Sequence, residues 1–234
     1  MSIQFTLDGK QVTAEEGQPL PEVAAANGIY LPTLCYHPDQ ERVGTCRVCQ
    51  VRFNGSIVAG CTVRLWDGAS VEIDAPDLMA MRREVVEMLF AEGNHNCPSC
   101  EKSGRCGLQG VAYEVGVHNS EFPYRYPARE ADHESELIWL ERDRCIMCHR
   151  CVEFVHDAET GRKIFSLHGR GGTARIEIDR ELADKMTPDE VRTAMDTCPV
   201  GAILAKGVGY DEPIGERRYD RASVRDRVLH GGAE

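Results

Sequence analysis

Eleven cysteines in 234 residues, gathered into short-spaced sets, constrain this chain more than any other feature. An odd total leaves one thiol over in any complete disulfide scheme, and closely spaced cysteines in a reducing compartment serve metals more often than cross-links. The amino terminus MSIQFTLDGK has neither the basic start nor the apolar stretch of a secretion signal, and no apolar run approaches bilayer length. A cytoplasmic protein without a membrane span is expected. With 38 acidic against 27 basic side chains and a net charge of -11, no basic strip is available to neutralise phosphates, which argues against nucleic acid as a partner. Aromatic residues make up only 6% of the chain, so separate small cores would depend on metal ligation.

The order of elements predicts several small units. IQFTL, the Asp8-Gly9 turn and Lys10 to Thr13 read as a hairpin, and Leu20, Val23 and Ala24 recur at helical spacing before Gly28. Strands are expected at Gln50 to Phe53, Ile57 to Ala59 and Val71 to Ile73, around an Asn54-Gly55 turn, closing a first domain at 1–75. Leu78, Met81, Val85, Met88 and Leu89 keep a helical period from Pro76 to Glu92, with Asp74 as the cap and Gly93 as the stop. A second helix over Leu108 to Val117 completes a domain at 76–120, and Glu121 to Ser135 is a connector rich in proline and charge. The third domain, 136–209, should contain a strand pair, Arg162 to Leu167 with Ala174 to Ile178, and a helix from Pro188 to Met195. Residues 210–234, with Arg217, Arg218, Arg221, Arg225 and Arg227 among acids, read as a flexible or partner-contacting tail.

The cysteine spacings carry the chemistry. Cys145, Cys148 and Cys151 follow one another at two-residue gaps, with a remote Cys198 directly before Pro199. Three thiolates so spaced curl a loop around a 4Fe-4S cluster, and the cysteine before proline supplies the fourth ligand. A two-cluster ferredoxin would carry further cysteines where this chain has Val155, Pro188, Val191 and Ala194, so one cluster is expected, with small or apolar side chains filling the other site. Cys35, Cys46, Cys49 and Cys61 form a variant of the plant-type 2Fe-2S spacing in which both outer gaps differ. Zinc held by four thiolates is the competing reading. A Rieske site is excluded because no histidine follows the Cys46 and Cys49 pair. The middle set has only three cysteines, Cys97, Cys100 and Cys106, and no spare one remains in the chain. Either His95 completes a 4Fe-4S site, or one iron there carries an external ligand or none. Neutral imidazole in place of a thiolate makes a cluster less negative and should raise its potential, as in Rieske centres. His118, His133 and His230 read as solvated histidines.

These sets, carried by LPTLCYHPDQERVGTCRVCQV, GNHNCPSCEKSGRCGLQ, DRCIMCHRCVEF and DTCPVGAI, resemble the cluster-bearing amino-terminal region of the large peripheral subunit of respiratory NADH dehydrogenase and of iron-only hydrogenases. The resemblance extends to about residue 207 and implies an α+β protein. It would comprise a β-grasp 2Fe-2S ferredoxin domain, a small helical 4Fe-4S domain with one histidine and three cysteine ligands, and a ferredoxin-like 4Fe-4S domain. Members usually place the histidine four residues before the first cysteine; Gly93 stands there in this chain, and His95 lies two before. Ending at Glu234, the chain is expected to lack both the long extra domain of the dehydrogenase subunit and a hydrogenase catalytic domain. At this length it most resembles the small diaphorase subunit, of gamma or HoxU type, in soluble NAD-reducing nickel-iron hydrogenases. That resemblance implies as partners an FMN- and NAD-binding diaphorase subunit and the small and large nickel-iron hydrogenase subunits. FMN, NAD and the nickel-iron centre would sit on those partners, and this chain would relay electrons between hydrogen and NAD.

The rest of the sequence agrees with a relay that has no substrate site of its own. No Gly-x-Gly-x-x-Gly follows a strand, and the Gly-rich segment at His168 to Gly172 reads as a tight turn. Pairs such as Asp211-Glu212 and Glu15-Glu16 read as solvated turns, not acid-base dyads. Arg47, Lys102, Arg105, Arg144 and Arg150 lie beside ligands, as either tuning charges or ordinary surface charge, and His149 and His156 are equally ambiguous. The same wire in an NAD-linked formate dehydrogenase or NADH dehydrogenase complex, and a zinc-stabilised module or iron-sulfur sensor, are the alternatives.

Overall fold

A computed structural model describes residues 1–39 and 42–230. The chain opens with the expected hairpin, β1 (Ser2–Leu7) against β2 (Lys10–Glu15), turning through Asp8 and Gly9, both at positive φ. Helix α1 (Leu20–Ala26) buries Leu20, Val23 and Ala24, and a long cysteine-bearing loop then leads to β3 (Gln50–Phe53), β4 (Ser56–Ala59) and β5 (Ser70–Glu72). The five strands form one mixed sheet in the order β2-β1-β5-β3-β4, in which β1 and β5 are parallel and the other pairs antiparallel. The Asp8 carboxylate accepts hydrogen bonds from the Ile73 and Asp74 amides at 2.6 and 3.2 Å. One turn residue thus ties the first hairpin to the last strand.

Helix α2 (Pro76–Ala91) begins without the expected cap: Ala75 takes that place, with no side-chain bond. The Asp74 amide is already fastened to Asp8, and Pro76 at the first helical position has no N–H to satisfy. Arg82 on α2 is fully buried and donates to the carbonyls of Gln50 (2.6 Å) and Ile73 (2.9 Å), fastening the helix to the first sheet. After a 3-10 turn at Cys97–Ser99, α3 (Gly107–Val115) packs on α2 with Leu108, Val111 and Val115 buried, and Gly116 ends it in the left-handed conformation.

The third unit contains β6 (Ile138–Leu140), α4 (Arg150–Phe154), β7 (Phe165–His168), β8 (Arg175–Ile178), α5 (Arg180–Ala183), α6 (Pro188–Thr197) and β9 (Ile203–Ala205). β6 pairs with β9 and β7 with β8, both antiparallel. A reciprocal capping box between Thr187 and Glu190 starts α6. The β6–β9 pair has no counterpart in the sequence reading, because three-residue strands show no periodicity. Within the connector, the buried Asp132 pairs with Arg142 (3.3 Å) and Arg180 (3.0 Å), while Arg142 also meets Glu177.

The segment expected to be a flexible or partner-contacting tail is folded against its own chain as far as residue 230; residues 231–234 lie outside the described residues. Helices α7 (Arg218–Arg221) and α8 (Val224–His230) cover α3, where Gly110 makes room for Val224 and Tyr219. Arg225 pairs with Glu114 at 3.0 Å and lies over the Tyr30 ring, 5.4 Å from its centroid. Arg217 pairs with Asp220 and Arg221 with Glu216 within the segment. No helix among the described residues is long and apolar enough to cross a membrane.

Candidate metal centres

The fold gathers the eleven thiols into three separate groups: wherever one thiol shifts another's pKa, both belong to the same set. In the first, Cys35, Cys46 and Cys49 come from the loop before β3, and Cys61 from the 3-10 turn after β4. All four are buried. Hydrogen bonds from Cys46 and Cys61 pull the Cys35 thiol down to about 2, and the same sharing pushes Cys46 and Cys61 up. The Cys61 amide also points at Cys49 Sγ, 3.4 Å away. Gly60 permits this closeness, since a β-carbon there would stand 2.9 Å from the Cys49 carbonyl oxygen.

In the third group, Cys145, Cys148 and Cys151 wind around a loop whose Met147 and His149 adopt positive φ, and Cys198 caps the end of α6. An apolar cavity opens among these four sulfurs, walled by Leu140, Ile176, Val200 and Ile203. Burial pushes the Cys145 thiol up to about 11 and raises Cys148 and Cys151 further. Thiols so desolvated stay protonated unless a strongly positive centre takes their place in the proton balance. Val155, Val191 and Ala194, where a second cluster's ligands would stand, are buried, and Pro188 starts α6 at the surface.

The middle group is less enclosed: Cys106 is buried and pushed up to about 12, but Cys97 and Cys100 are half-exposed. His95 folds back on the end of α2, edge-on to Phe90 at 5.3 Å, with its ring hydrogen-bonded to the Leu89 backbone. Burial, more than any nearby charge, depresses its pKa to about 4. Its Nε2 is buried and has no hydrogen-bond partner. A neutral imidazole held through one nitrogen, with the other lone pair buried and unused, is the form that ligates a metal. This donor chemistry, together with the thiol groups, fits iron-sulfur centres. Among the described residues no three His, Cys, Asp or Glu side chains converge as a lone ion would require. Ligands at the corners of a cluster need no such convergence.

Cations cross between the second and third groups. Arg144, next to Cys145, directs Nη1 at Cys100 Sγ, 3.7 Å away, and also meets Glu101 and the Gly201 carbonyl, each at 3.4 Å. Lys102, from the second loop, is buried against Asp196 (3.3 Å) and the Met195 carbonyl (2.6 Å), where Cys198 belongs to its electrostatic surroundings. Burial lowers the Lys102 pKa despite those partners. The backbone after Cys198 forms a shared wall: the Pro199 carbonyl accepts from the Gly107 amide at 2.7 Å, and a β-carbon at Gly201 would stand 2.5 Å from Cys100 Sγ. The first group joins through Thr45, whose hydroxyl donates to the Cys148 carbonyl at 3.5 Å, and through His37 packed on Phe154.

Other candidates separate cleanly. Arg105 pairs with Asp211 and Glu212 instead of a thiol, Arg47 is exposed, and Arg150 is buried. His118, His133, His156 and His230 are exposed, and His133 bonds Glu141 at 2.7 Å. The Gly-rich segment after β7 is a turn, with Gly169 at positive φ. Arg82 and Gly201 escaped the sequence reading, because neither lies in a recognisable motif.

Three family models match in succession: a 2Fe-2S iron-sulfur cluster binding domain over residues 1–76, the NADH-ubiquinone oxidoreductase-G iron-sulfur binding region over 82–121, and the ferredoxin-like domain of NADH-quinone oxidoreductase subunit 3 over 135–204. The chain is 29% identical to the 78 kDa subunit of the mitochondrial NADH-ubiquinone oxidoreductase of Candida albicans, of which it spans only 32%. A chain in the crystal structure of an NAD+-reducing [NiFe]-hydrogenase in the H2-reduced state superposes with a TM-score of 0.86 at 39% identity, covering 96% of each chain. The gamma subunit of the NAD-reducing hydrogenase HoxS of Cupriavidus necator is 61% identical, over 99% of both chains. The chain therefore belongs to the family of NAD-reducing hydrogenase gamma subunits.

Proposed function

We propose that this chain is the electron-transfer subunit, of small diaphorase (HoxU) type, of a cytoplasmic NAD-reducing nickel-iron hydrogenase. It relays electrons between a nickel-iron hydrogenase module of small and large subunits and a diaphorase subunit that holds FMN and NAD. In this reading Cys35, Cys46, Cys49 and Cys61 hold one 2Fe-2S cluster in a β-grasp domain. His95, Cys97, Cys100 and Cys106 hold a 4Fe-4S cluster in a small helical domain. Cys145, Cys148, Cys151 and Cys198 hold another in a ferredoxin-like domain. The observation that carries it is the sorting of all eleven cysteines into three groups, the one short of a thiol having a buried imidazole nitrogen without a partner.

Bound clusters supply one-electron donor and acceptor levels. The chain supplies their placement. The buried thiols would hold the irons as thiolates, and the Cys61 amide and Arg144 guanidinium are placed to offset negative charge at sulfur. The Pro199 to Gly201 backbone joins the loops of the second and third groups, and the Thr45 contact joins the first group's loop to the third. Leu140, Ile176 and Ile203 exclude water from the third group.

Anaerobic purification of the chain with its companions from the native host, with iron, nickel, zinc and flavin quantified together, tests the proposal. Iron at about ten per chain, with nickel and flavin in companion subunits, is the expected result. Iron without nickel would move the relay to another NAD-linked complex. Zinc in place of iron would end it.

A further inference from the structure

The loop that carries His95 is short, and the imidazole must turn back toward the chain that precedes it. Gly93 is buried directly beneath the ring: a β-carbon there would stand 2.5 Å from His95 Cδ2, and closer still to Nε2. No ordinary contact survives at that distance, so any side chain at 93 and the present position of the imidazole exclude each other. The glycine is not explained by its backbone. Its φ lies outside the left-handed region that favours glycine, whereas Gly104 and Gly116 nearby adopt it. Just beyond the end of α2, with φ outside that region, an alanine at 93 that met no clash would stabilise the chain by reducing the freedom of its unfolded state.

The same ring is fixed on its other sides. Phe90 meets it edge-on, the Leu89 backbone bonds it, and the neighbouring Asn94 amide is tied to the Asp143 carbonyl at 2.8 Å. Pushed from below by a methyl group, the imidazole could move only by giving up these contacts and displacing its unpartnered Nε2. We propose that Gly93 is a positioning residue for the second cluster: its missing side chain is the slot into which His95, two residues before Cys97, folds, with Nε2 the ring atom nearest to Gly93. The inference rests on the reading of His95 as the ligand. It adds that the ligand's placement is set by a residue that never touches iron.

The test uses the full chain loaded anaerobically with iron and sulfide, in four forms: wild type, Gly93→Ala, His95→Ala and the double variant. Pulsed electron paramagnetic resonance reads the imidazole nitrogen coupling to the reduced 4Fe-4S signal, redox titration reads its midpoint, and thermal melting reads stability. Gly93→Ala should weaken or abolish the nitrogen coupling and shift the midpoint in the same direction as His95→Ala. It should lower the melting temperature when His95 is present and leave it unchanged or raised in the His95→Ala background, because only the imidazole competes for the space. An unchanged coupling and midpoint in Gly93→Ala, or equal destabilisation in both backgrounds, would overturn the proposal. If wild type and His95→Ala show the same coupling and midpoint, the ligand reading itself fails, and the slot with it. Should Gly93→Ala load poorly with iron, the two melting comparisons on the unloaded chains still decide the matter.

Discussion

The loops that carry the second and third thiol groups are in contact, yet the two groups are built in opposite ways. The third is the more enclosed, with three of its four cysteines buried around an apolar cavity, whereas the second has two of its three cysteines half-exposed and a histidine beside them. Enclosure raises thiol pKa and removes water, so the third group depends wholly on what fills it. The second instead borrows polarity from its neighbour, through Arg144. Two adjoining centres can therefore be set to different potentials without separating them in space, by assigning one the apolar walls and the other the charges.

The strongest break in this comparison is removal of a third-group ligand. Cys148→Ser should lower bound iron by about four per chain and reduce hydrogen-dependent NAD reduction in the assembled complex at least ~100-fold, while the signal of the second group persists. Iron analysis and resonance spectra of the same sample check both halves.

Next comes the scaffold of the third unit. Asp132→Asn leaves the buried Arg142 guanidinium, and the exposed Arg180, beside a neutral amide and should destabilise the fold by about 3 kcal/mol, measured by thermal or chaotrope unfolding. Burial pushes the Asp132 carboxyl up, but Arg180 and Arg142 outweigh it and hold it below the usual carboxylate range. A carboxylate depressed in the folded state stabilises fully above its ordinary value of 3.8 and loses that contribution as pH falls through the lower folded value. The wild type and Asp132→Asn should therefore converge in stability only in strong acid.

A finer test exchanges the charges that cross between the groups. Lys102→Gln should lower the midpoint of the third group, although Lys102 belongs to the second loop, and Arg144→Gln should lower that of the second, although Arg144 adjoins Cys145. Loss of a nearby positive charge makes each reduction harder, by on the order of tens of millivolts at the effective dielectric of such sites. Redox titration of each variant separates this crossed pattern from an uncrossed one, in which each cation would act on its own loop's thiols.

The smallest effect is expected far from the third group. Arg225→Ala removes a half-exposed pair with Glu114 and the contact with Tyr30, and should cost about 0.5–1 kcal/mol in thermal unfolding. Both cluster midpoints should be unchanged. A loss of the second signal in this variant would show that α8 protects that group.

How much of this was legible differs by the range of the contacts involved. Cys145, Cys148 and Cys151 lie within seven residues, so their loop can be read from spacing alone, and hairpins such as β1–β2 announce themselves through Asp8-Gly9. His95 was legible as a candidate by counting ligands, but its folded-back pose was not. That pose depends on Phe90, Leu89 and the empty side of Gly93 together. The tail illustrates the reverse: its arginines and acids permit either solvation or docking, and only the surfaces of α3 and Tyr30 decide the outcome.

Sequence by itself determined the inventory: eleven thiols, one surplus histidine, their local spacings, and the helices and hairpins whose periods are short enough to repeat. Tertiary structure alone decided which charges face which sulfurs. Lys102 reaches Asp196 across 94 residues, and Arg144 reaches Cys100 across 44. Local spacing encodes what a few consecutive dihedrals can bring together. Contacts of that range exist only after sheets and helices have packed, when burial fixes which side chains remain in reach and how strongly their charges are felt.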